Sequence, residues 1–458
     1  MQRGNIDIPA STRFLQHGAD TGGNAVETLE SKRNEIDRID SEMASLFAER
    51  MKCAETIAHI KKELGKPVYD AKRENAVLRT RREGYGDETT AGLYGEFIKE
   101  TVALSKKAQK NALAADDEIF VSAGAEGYTV TLRNGALREL GGIIGTGCRT
   151  LIVTDDGVPE EYVTAASGSL GGCEVVTLER GETNKNEKSY FRIIEKLYER
   201  GFSRSDRIAA LGGGVVGDIA CFAAATYNRG IKFVNVPTTL LSQVDSSIGG
   251  KCGIDYRGGK NLLGAFYLPE AVVTDPELLA TLDKRNFTNG MAEIIKIALT
   301  CDASLFEKLE KGVDRKDMTE VIRRAVSIKA DITTRDPYDE GIRKVLNFGH
   351  TLGHAIETAS GLDTLMHGEC VALGMIPMCA PDVRERLLKT LKLYGLPTEC
   401  DIDPASVAQA MERDKKKRGK TVTVVYAPEI GSYEFYDLPA DGMSEKAKDM
   451  IAFLRRRK

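Results

Sequence analysis

Three of the chain's five histidines fall between positions 350 and 367, in the runs Asn347-Phe348-Gly349-His350-Thr351-Leu352-Gly353-His354 and Leu365-Met366-His367-Gly368-Glu369. Imidazole nitrogen is a good zinc ligand, and a catalytic zinc takes three protein ligands and leaves one position open. His350 and His354, four apart on one helix face, could instead cap a core with polar groups. Upstream, Glu293 lies in the apolar helical run Asn289-Gly290-Met291-Ala292-Glu293-Ile294-Ile295-Lys296, where a carboxylate needs a cation. With His350 and His367 it would complete a two-His, one-Glu set fit for a catalytic metal. Lys329, Arg343 and Asn347 precede His350 and bring charge and hydrogen-bonding capacity to the same place.

A second chemical signal lies earlier. A β-like run ends at Leu211 and is followed by Gly212-Gly213-Gly214-Val215-Val216-Gly217-Asp218, which opens an Ala-rich helix. GxGxxG between strand and helix lets backbone N–H groups meet a pyrophosphate. The acidic residue expected about 20 positions on for a ribose is missing, and Val236-Pro237-Thr238-Thr239 stands there instead. The pattern therefore predicts a dinucleotide site unlike the ordinary Rossmann one. The polar run Ser242 to Lys251 and the run Gly258 to Phe266 place Lys251 and Lys260 beside glycine pairs, an arrangement suited to capturing phosphate or carboxylate. Neither run fits the phosphate-loop pattern GxxxxGK[ST].

These residues need elements to hold them. A chain of 458 residues predicts two to three domains at ~150 residues each. A net charge of -4 gives no broad basic field, which argues against nucleic acid as a partner. Nine cysteines with no CxxC pair read as reduced thiols of a cytoplasmic protein. No run approaches the ~18 apolar residues of a membrane span, and Met1 to Asn24 reads as a loose polar lead without a signal-peptide core. Before Asn111 the chain is rich in Glu, Lys, Arg and Ala; after it, β-branched runs (149–154, 207–211, 231–237) alternate with helical patterns until about Pro276, where helix takes over. The expected organisation is a lead (1–24), a helical module (25–110), a linker (111–118), an α/β domain (119–275) and an all-α metal- and substrate-binding domain (276–458).

Within the helical module no breaker interrupts Leu29 to Leu64, and Ile36, Ile39, Met43, Leu46, Cys53, Ile57, Ile60 and Leu64 line one face. That predicts a helix of roughly 36 residues, ~54 Å long. Arg50 interrupts the apolar seam, with Lys61 three turns further on nearly the same side. A buried arginine needs a partner, and none is apparent in its own helix. A second helix is expected from Asp70, with Arg73 and Glu74 on its face, and a third from Asp87 to Lys110. Arg33, Arg50, Lys61 and Arg73 suit the clamping of a small dianion; the same pattern suits a coiled-coil dimerisation module with interhelical ion pairs.

From Arg33 through Ala48-Glu49-Arg50, Lys61, Pro67-Val68-Tyr69-Asp70 and Arg73-Glu74, the module resembles the all-helical class of chorismate mutases, over about Glu27 to Gln109. The resemblance implies two intertwined chains, with Arg33 reaching into the partner's site. Arg50 and Arg73 would bind substrate carboxylates, Lys61 would donate to the ether oxygen, and Asp70 and Glu74 would hold the hydroxyl end. The reaction implied is chorismate to prephenate, a rearrangement driven by conformational restraint and cations near the oxygen that gains charge. Ser105, with Thr101 one turn before it, stands where the family has a longer second donor to the ether oxygen, usually glutamine or glutamate.

From about Ile119 to Leu438 the chain resembles 3-dehydroquinate synthase, through Leu211 to Lys251, Gly259 to Phe266, Asn289 to Lys296 and Asn347 to Glu357. This implies NAD as a recycled cofactor, Zn2+ or Co2+ as metal, and 3-deoxy-arabino-heptulosonate 7-phosphate as substrate. Glu293, His350 and His367 would be the metal ligands. Lys251, Asn261, Lys329, Arg343, Asn347, His354 and one of Lys415 and Lys416 would hold substrate, with Arg229 reaching in from a neighbouring subunit. Asp155, Glu182, Lys185, Gly214, Val215, Val216, Gly217, Asp218, Thr238, Thr239, Asp245, Lys260, Thr281 and Asn289 would serve the dinucleotide. Between Met375 and Leu388 the chain is shorter than family members, with Ala380-Pro381 where a helix would continue. The expectation is a fusion of both enzymes in aromatic amino-acid biosynthesis, assembled as a homodimer or higher homo-oligomer. Alternatives are a synthase with a non-catalytic dimerising or aromatic-acid-sensing module, and a metal-dependent polyol dehydrogenase. A neutral polyol needs no cation set such as Lys251, Lys260, Lys329 and Arg343, which weighs against the last.

Overall fold

The computed structural model describes residues 29–64, 76, 88–113, 117–123, 126–361, 364–418, 421–439 and 442–455. The unbroken N-terminal run forms a single helix, α1 (Leu29–Glu63). A second, α2 (Glu88–Leu113), packs along it. The buried side chains of the pair are mostly small or polar and include Ala54, Ala58, Thr101 and Ser105. The apolar seam of α1 faces outward instead, with Ile36, Ile39, Met43, Leu46, Ile57 and Ile60 between 41% and 65% exposed. α2 also runs further than expected: Asn111-Ala112-Leu113 continues the helix into the stretch read as linker, because Ala and Leu are strong helix formers. The helix expected from Asp70 lies outside the described residues.

The α/β half is built on a seven-stranded sheet. In chain order its members are β1 (Glu118–Ala123), β2 (Glu126–Leu132), β3 (Thr150–Asp155), α3 (Glu160–Ser169), β4 (Glu174–Leu178), α4 (Glu187–Glu199), β5 (Arg207–Gly212), α5 (Gly214–Thr226) and β6 (Lys232–Pro237). A detached antiparallel hairpin follows, β7 (Lys251–Tyr256) with β8 (Gly259–Phe266), before β9 (Ala271–Thr274) closes the sheet. The order is β1-β2-β9-β6-β5-β3-β4, parallel except for the β1–β2 pair. The chain steps from β3 outward to β4, then returns to the other side of β3 as β5. Between the carboxyl ends of β3 and β5 lies the switch point at which open α/β sheets bind ligands. β5 is buried along its whole length, as a central parallel strand must be.

The helical half contains α6 (Lys284–Cys301), α7 (Ala303–Glu310), α8 (Met318–Arg335), α9 (His350–Ser360), α10 (His367–Met375), α11 (Pro381–Leu393), α12 (Pro404–Arg418) and α13 (Met443–Leu454). It adds one hairpin that the helical reading did not include, β10 (Thr421–Tyr426) with β11 (Glu434–Pro439), carried by the β-branched run Thr421-Val422-Thr423-Val424-Val425. α6 is buried on every side from Phe287 to Thr300 and is the axle of this half. At Ala380-Pro381 the chain breaks and restarts: Pro381 takes the first turn of α11, and Val383, Leu387 and Leu391 stay buried.

Candidate active site

Three elements converge on Glu293, which sits in the middle of α6 and is fully buried. Gly349, in the left-handed region at φ 77°, turns the chain so that α9 begins at His350. Gly368 lets α10 approach α6: a Cβ there would fall 2.1 Å from the Asn289 carbonyl oxygen. Its N–H donates to Asn289 Oδ1, so Asn289, expected at the dinucleotide, is buried and seats the helix that carries His367. Glu293 Oε1 lies 3.2 Å from His367 Nε2 and 3.6 Å from His350 Nε2.

One ligand atom from each of Glu293, His350 and His367 falls within 4.8 Å of the others. His350 Nδ1 lies 3.1 Å from the Phe348 carbonyl, which can only accept. That contact puts the proton on Nδ1 and leaves the Nε2 lone pair facing Glu293, as metal-ligating histidines require. Burial, with Lys296 nearby, pushes His350 well down, keeping it neutral. Burial alone would raise Glu293, but Lys296 and the two imidazoles outweigh it and hold the carboxyl well below its usual range. Glu293 Oε2 touches Lys296 Nζ as an ion pair yet accepts no hydrogen bond. The other oxygen, Oε1, faces both imidazole Nε2 atoms, and an ionised, fully buried carboxylate beside two imidazole nitrogens is a donor set that fits a divalent cation.

Beside this cluster is a cavity of about 510 Å3 lined by Lys251, Asn261, Lys329, Arg343, Asp218 and Asp245, among others. Lys329, on α8, donates to Asp245 Oδ1 at 2.5 Å, and Asp245 stands within electrostatic reach of Glu293 and Lys296. Burial pulls both the Lys329 ammonium and the Arg343 guanidinium down. Lys251 pairs with Asp339 at 2.6 Å. Asn261 takes a left-handed turn (φ 48°) and donates its N–H to Asp255 Oδ1 at 2.7 Å. Asn347 is exposed just before α9, and Arg229 is exposed in a left-handed turn and is not among the residues lining the cavity. Lys415 and Lys416 lie on α12, but their side chains fall outside the described ones. A larger hollow of about 920 Å3 beside Lys311, Asp314 and Tyr394 contains no buried charge and no histidine.

The glycine-rich turn lies at the switch point. Gly214 begins α5, and Asp155 ends β3 with its carboxylate accepting from the Gly157 N–H at 2.8 Å. Lys185, almost fully buried, pairs with Asp218 at 2.5 Å. Glu182 sits in the turn before Lys185, and Thr238 and Thr239 follow β6, where Thr239 Oγ1 bonds Ser242 Oγ at 2.8 Å. Thr281 Oγ1 is held 3.0 Å from the Tyr162 hydroxyl.

In the helical module Arg50 finds its partner across the helix pair. It donates to the Thr101 carbonyl at 3.1 Å and to Ser105 Oγ. Ser105 in turn donates its proton to the Thr101 carbonyl at 2.9 Å. In this arrangement the Ser105 proton lies on the Thr101 carbonyl and its lone pair receives Arg50. Arg33 is exposed and Lys61 half-buried on α1. Asp70, Arg73 and Glu74 lie outside the described residues.

Residues 175–289 match the 3-dehydroquinate synthase N-terminal family, and residues 290–417 match its C-terminal counterpart. The 3-dehydroquinate synthase of Streptococcus sanguinis is 38% identical over 345 residues, which are 70% of this chain and 97% of that protein. The chain belongs to the 3-dehydroquinate synthase family. The Geobacter metallireducens synthase is 40% identical, again over 70% of this chain and 96% of its own. Ahead of the synthase portion, residues 32–110 match chorismate mutase type II. Among solved structures, 2-epi-5-epi-valiolone synthase from Streptomyces hygroscopicus subsp. jinggangensis, with NAD+ and Zn2+ bound, superposes with a TM-score of 0.65 at 28% identity. It covers 73% of this chain and 99% of that one.

Three residues of the synthase portion escaped the sequence reading: Lys296, Asp339 and Glu357. Lys296 was within reach of inference, since it lies three residues after Glu293 on one helix. Glu357 is buried, accepts from Lys260 Nζ at 2.8 Å and faces His354 Nδ1 at 3.3 Å. Burial would raise its carboxyl, but His354 and Lys260 outweigh it and bring it down to about 2. Because the folded value is depressed, the stabilisation is complete above the unfolded value near 4.5 and fades as pH falls toward 2. Urea unfolding should show wild type losing about 3 kcal/mol relative to Glu357→Gln between pH 6 and pH 2. An unchanged difference would mean the ion pair carries no net stability.

Proposed function

We propose that the C-terminal portion converts 3-deoxy-arabino-heptulosonate 7-phosphate to 3-dehydroquinate and phosphate, and that the helical domain converts chorismate to prephenate. The carrying observation is the convergence of Glu293, His350 and His367 beside a cavity walled by Lys251, Lys329 and Arg343. Glu293, His350 and His367 hold the divalent metal, Zn2+ or Co2+, and the switch point between β3 and β5 holds NAD. When bound, the metal lowers the pKa of a coordinated hydroxyl and NAD carries the hydride out and back.

This chain's own residues do the rest. Lys329 and Arg343, partly desolvated, present cations of high field to the carboxylate and phosphate of the substrate. Lys251 is paired with Asp339, so a substrate anion must compete with that carboxylate for it. Asn261, Asn347 and His354 supply hydrogen bonds to the hydroxyls, and one of Lys415 and Lys416 adds a further cation. Gly214 to Asp218 place the N-terminus of α5 against the pyrophosphate, with Asp155, Glu182, Lys185, Thr238, Thr239, Lys260 and Thr281 around it.

In the helical domain Arg50, Lys61 and Arg73 bind and polarise chorismate, with Asp70 and Glu74 at its hydroxyl end. The exposed apolar seam of α1 is the surface a second copy would cover, bringing Arg33 of one chain to the site of the other. Arg229 would likewise serve a neighbouring synthase site. Nine unpaired cysteines suit a cytoplasmic protein.

The test follows chorismate loss by absorbance and phosphate release from the heptulosonate phosphate, with the full chain and a chain starting at Ala114. The full chain should perform both reactions and the shortened one only the second. Chorismate left untouched by the full chain would make the helical domain an assembly or sensing module. Stoichiometric NADH accumulation would favour a dehydrogenase.

A further inference from the structure

Glu357 lies one turn after His354 on α9 and is 8% exposed. Both its oxygens are engaged, Oε1 by Lys260 of the β7–β8 hairpin and Oε2 by His354 Nδ1. The His354 ring is about half-exposed, with its centroid 5.3 Å from that of His350 and 5.7 Å from that of His367. His354, Glu357 and His367 form a second trio whose donor atoms lie within 4.8 Å of one another.

A second cation there is disfavoured on three counts. Lys260 already neutralises the only carboxylate, His367 Nε2 already faces Glu293, and a further divalent ion beside the first would meet strong repulsion in a poorly solvated place. What the trio does impose is a direction on one ring. An ionised carboxylate accepts only, so the nitrogen facing it must be the N–H.

We propose that Glu357 is a positioning residue for His354, fixing its Nδ1–H tautomer so that Nε2, across the ring, presents a lone pair to substrate. Lys260 on the other oxygen ties that orientation to the hairpin, linking the α/β half to the ring's aim. This deepens the synthase reading given above and rests on it. Without Glu357 the ring is free to rotate about its side-chain bonds and to exchange tautomers.

The zinc-loaded full chain with 15N-labelled histidine reads the tautomer directly, His354 being assigned from the signal lost in His354→Gln. Wild type should show His354 with Nδ1 protonated and Nε2 bare; Glu357→Gln should show a mixture or the other tautomer. Synthase kcat should fall on the order of 10–100-fold in Glu357→Gln, the scale typical for partners that orient functional imidazoles. Zinc should stay at one per chain in both. The double variant Glu357→Gln/His354→Gln should lose clearly less than the two single losses combined, because Glu357 acts on substrate through that ring.

An unchanged tautomer in Glu357→Gln overturns the proposal, as do additive losses in the double variant. A second zinc bound by wild type and lost in Glu357→Gln would overturn it in favour of a cation site. If wild type releases no phosphate from the heptulosonate phosphate, the synthase reading fails instead, and the tautomer measurement still decides the role of Glu357.

Discussion

Glu293→Gln should abolish phosphate release from the heptulosonate phosphate and lower the melting temperature in one step. The loss of activity follows from removing the only anionic member of the proposed metal set. Even outer partners of metal-bound histidines command roughly 10–100-fold in metal affinity or activity, and a ligand commands more. Metal content after dialysis should fall from one per chain toward zero. The loss of stability has a separate cause. Lys296 is 1% exposed, and after the substitution its ammonium loses its paired carboxylate and is left with neutral acceptors such as the Leu346 carbonyl, 2.6 Å away. Breaking one side of a buried ion pair costs about 3–5 kcal/mol. Glu293→Gln/Lys296→Met should therefore recover most of the stability while recovering neither metal nor turnover. A single variant that keeps stoichiometric metal and wild-type rate would remove Glu293 from the site.

That pair also illustrates what the sequence could and could not disclose. His350, His354 and His367 stand out because histidine is scarce, and the glycine turn at Gly212–Gly217 because its spacing is tied to one backbone geometry. The long first helix was legible from its uninterrupted period, to within a residue. Partners set by tertiary approach were not. Arg50 called for an acceptor, but Ser105 and the Thr101 carbonyl answer it from a helix some fifty residues on. Lys260 read as an anion-capturing lysine beside glycines, whereas here its ammonium lies on Glu357, 97 positions away. The glycines around it belong to a strand, β8, whose run Gly-Lys-Asn-Leu-Leu-Gly-Ala-Phe has little of the β-branched character by which strands are recognised. Nor could the sequence disclose that Asn289 seats α10 through the Gly368 N–H, or that Asp245 pairs with Lys329.

Arg50→Ala should lower kcat/KM for chorismate on the order of 10³-fold while leaving phosphate release by the synthase portion unchanged. Arg50 is half-buried, and burial pushes its guanidinium down. Among the described residues its acceptors are a neutral hydroxyl and a carbonyl, with no carboxylate. A partly desolvated cation held, among the described residues, by neutral oxygens costs folding energy, and a dianionic ligand would repay it. Two effects of opposite sign follow: removing the charge should lower turnover by that factor and leave the melting temperature of the helical domain unchanged or higher. Ser105→Ala should be far milder, less than about tenfold, since the serine only helps to aim Arg50, which keeps the Thr101 carbonyl. A loss for Ser105→Ala as large as that for Arg50→Ala would place the hydroxyl in contact with substrate after all. Equal melting losses with unchanged chorismate turnover would make Arg50 a structural cation and the helical domain an assembly module.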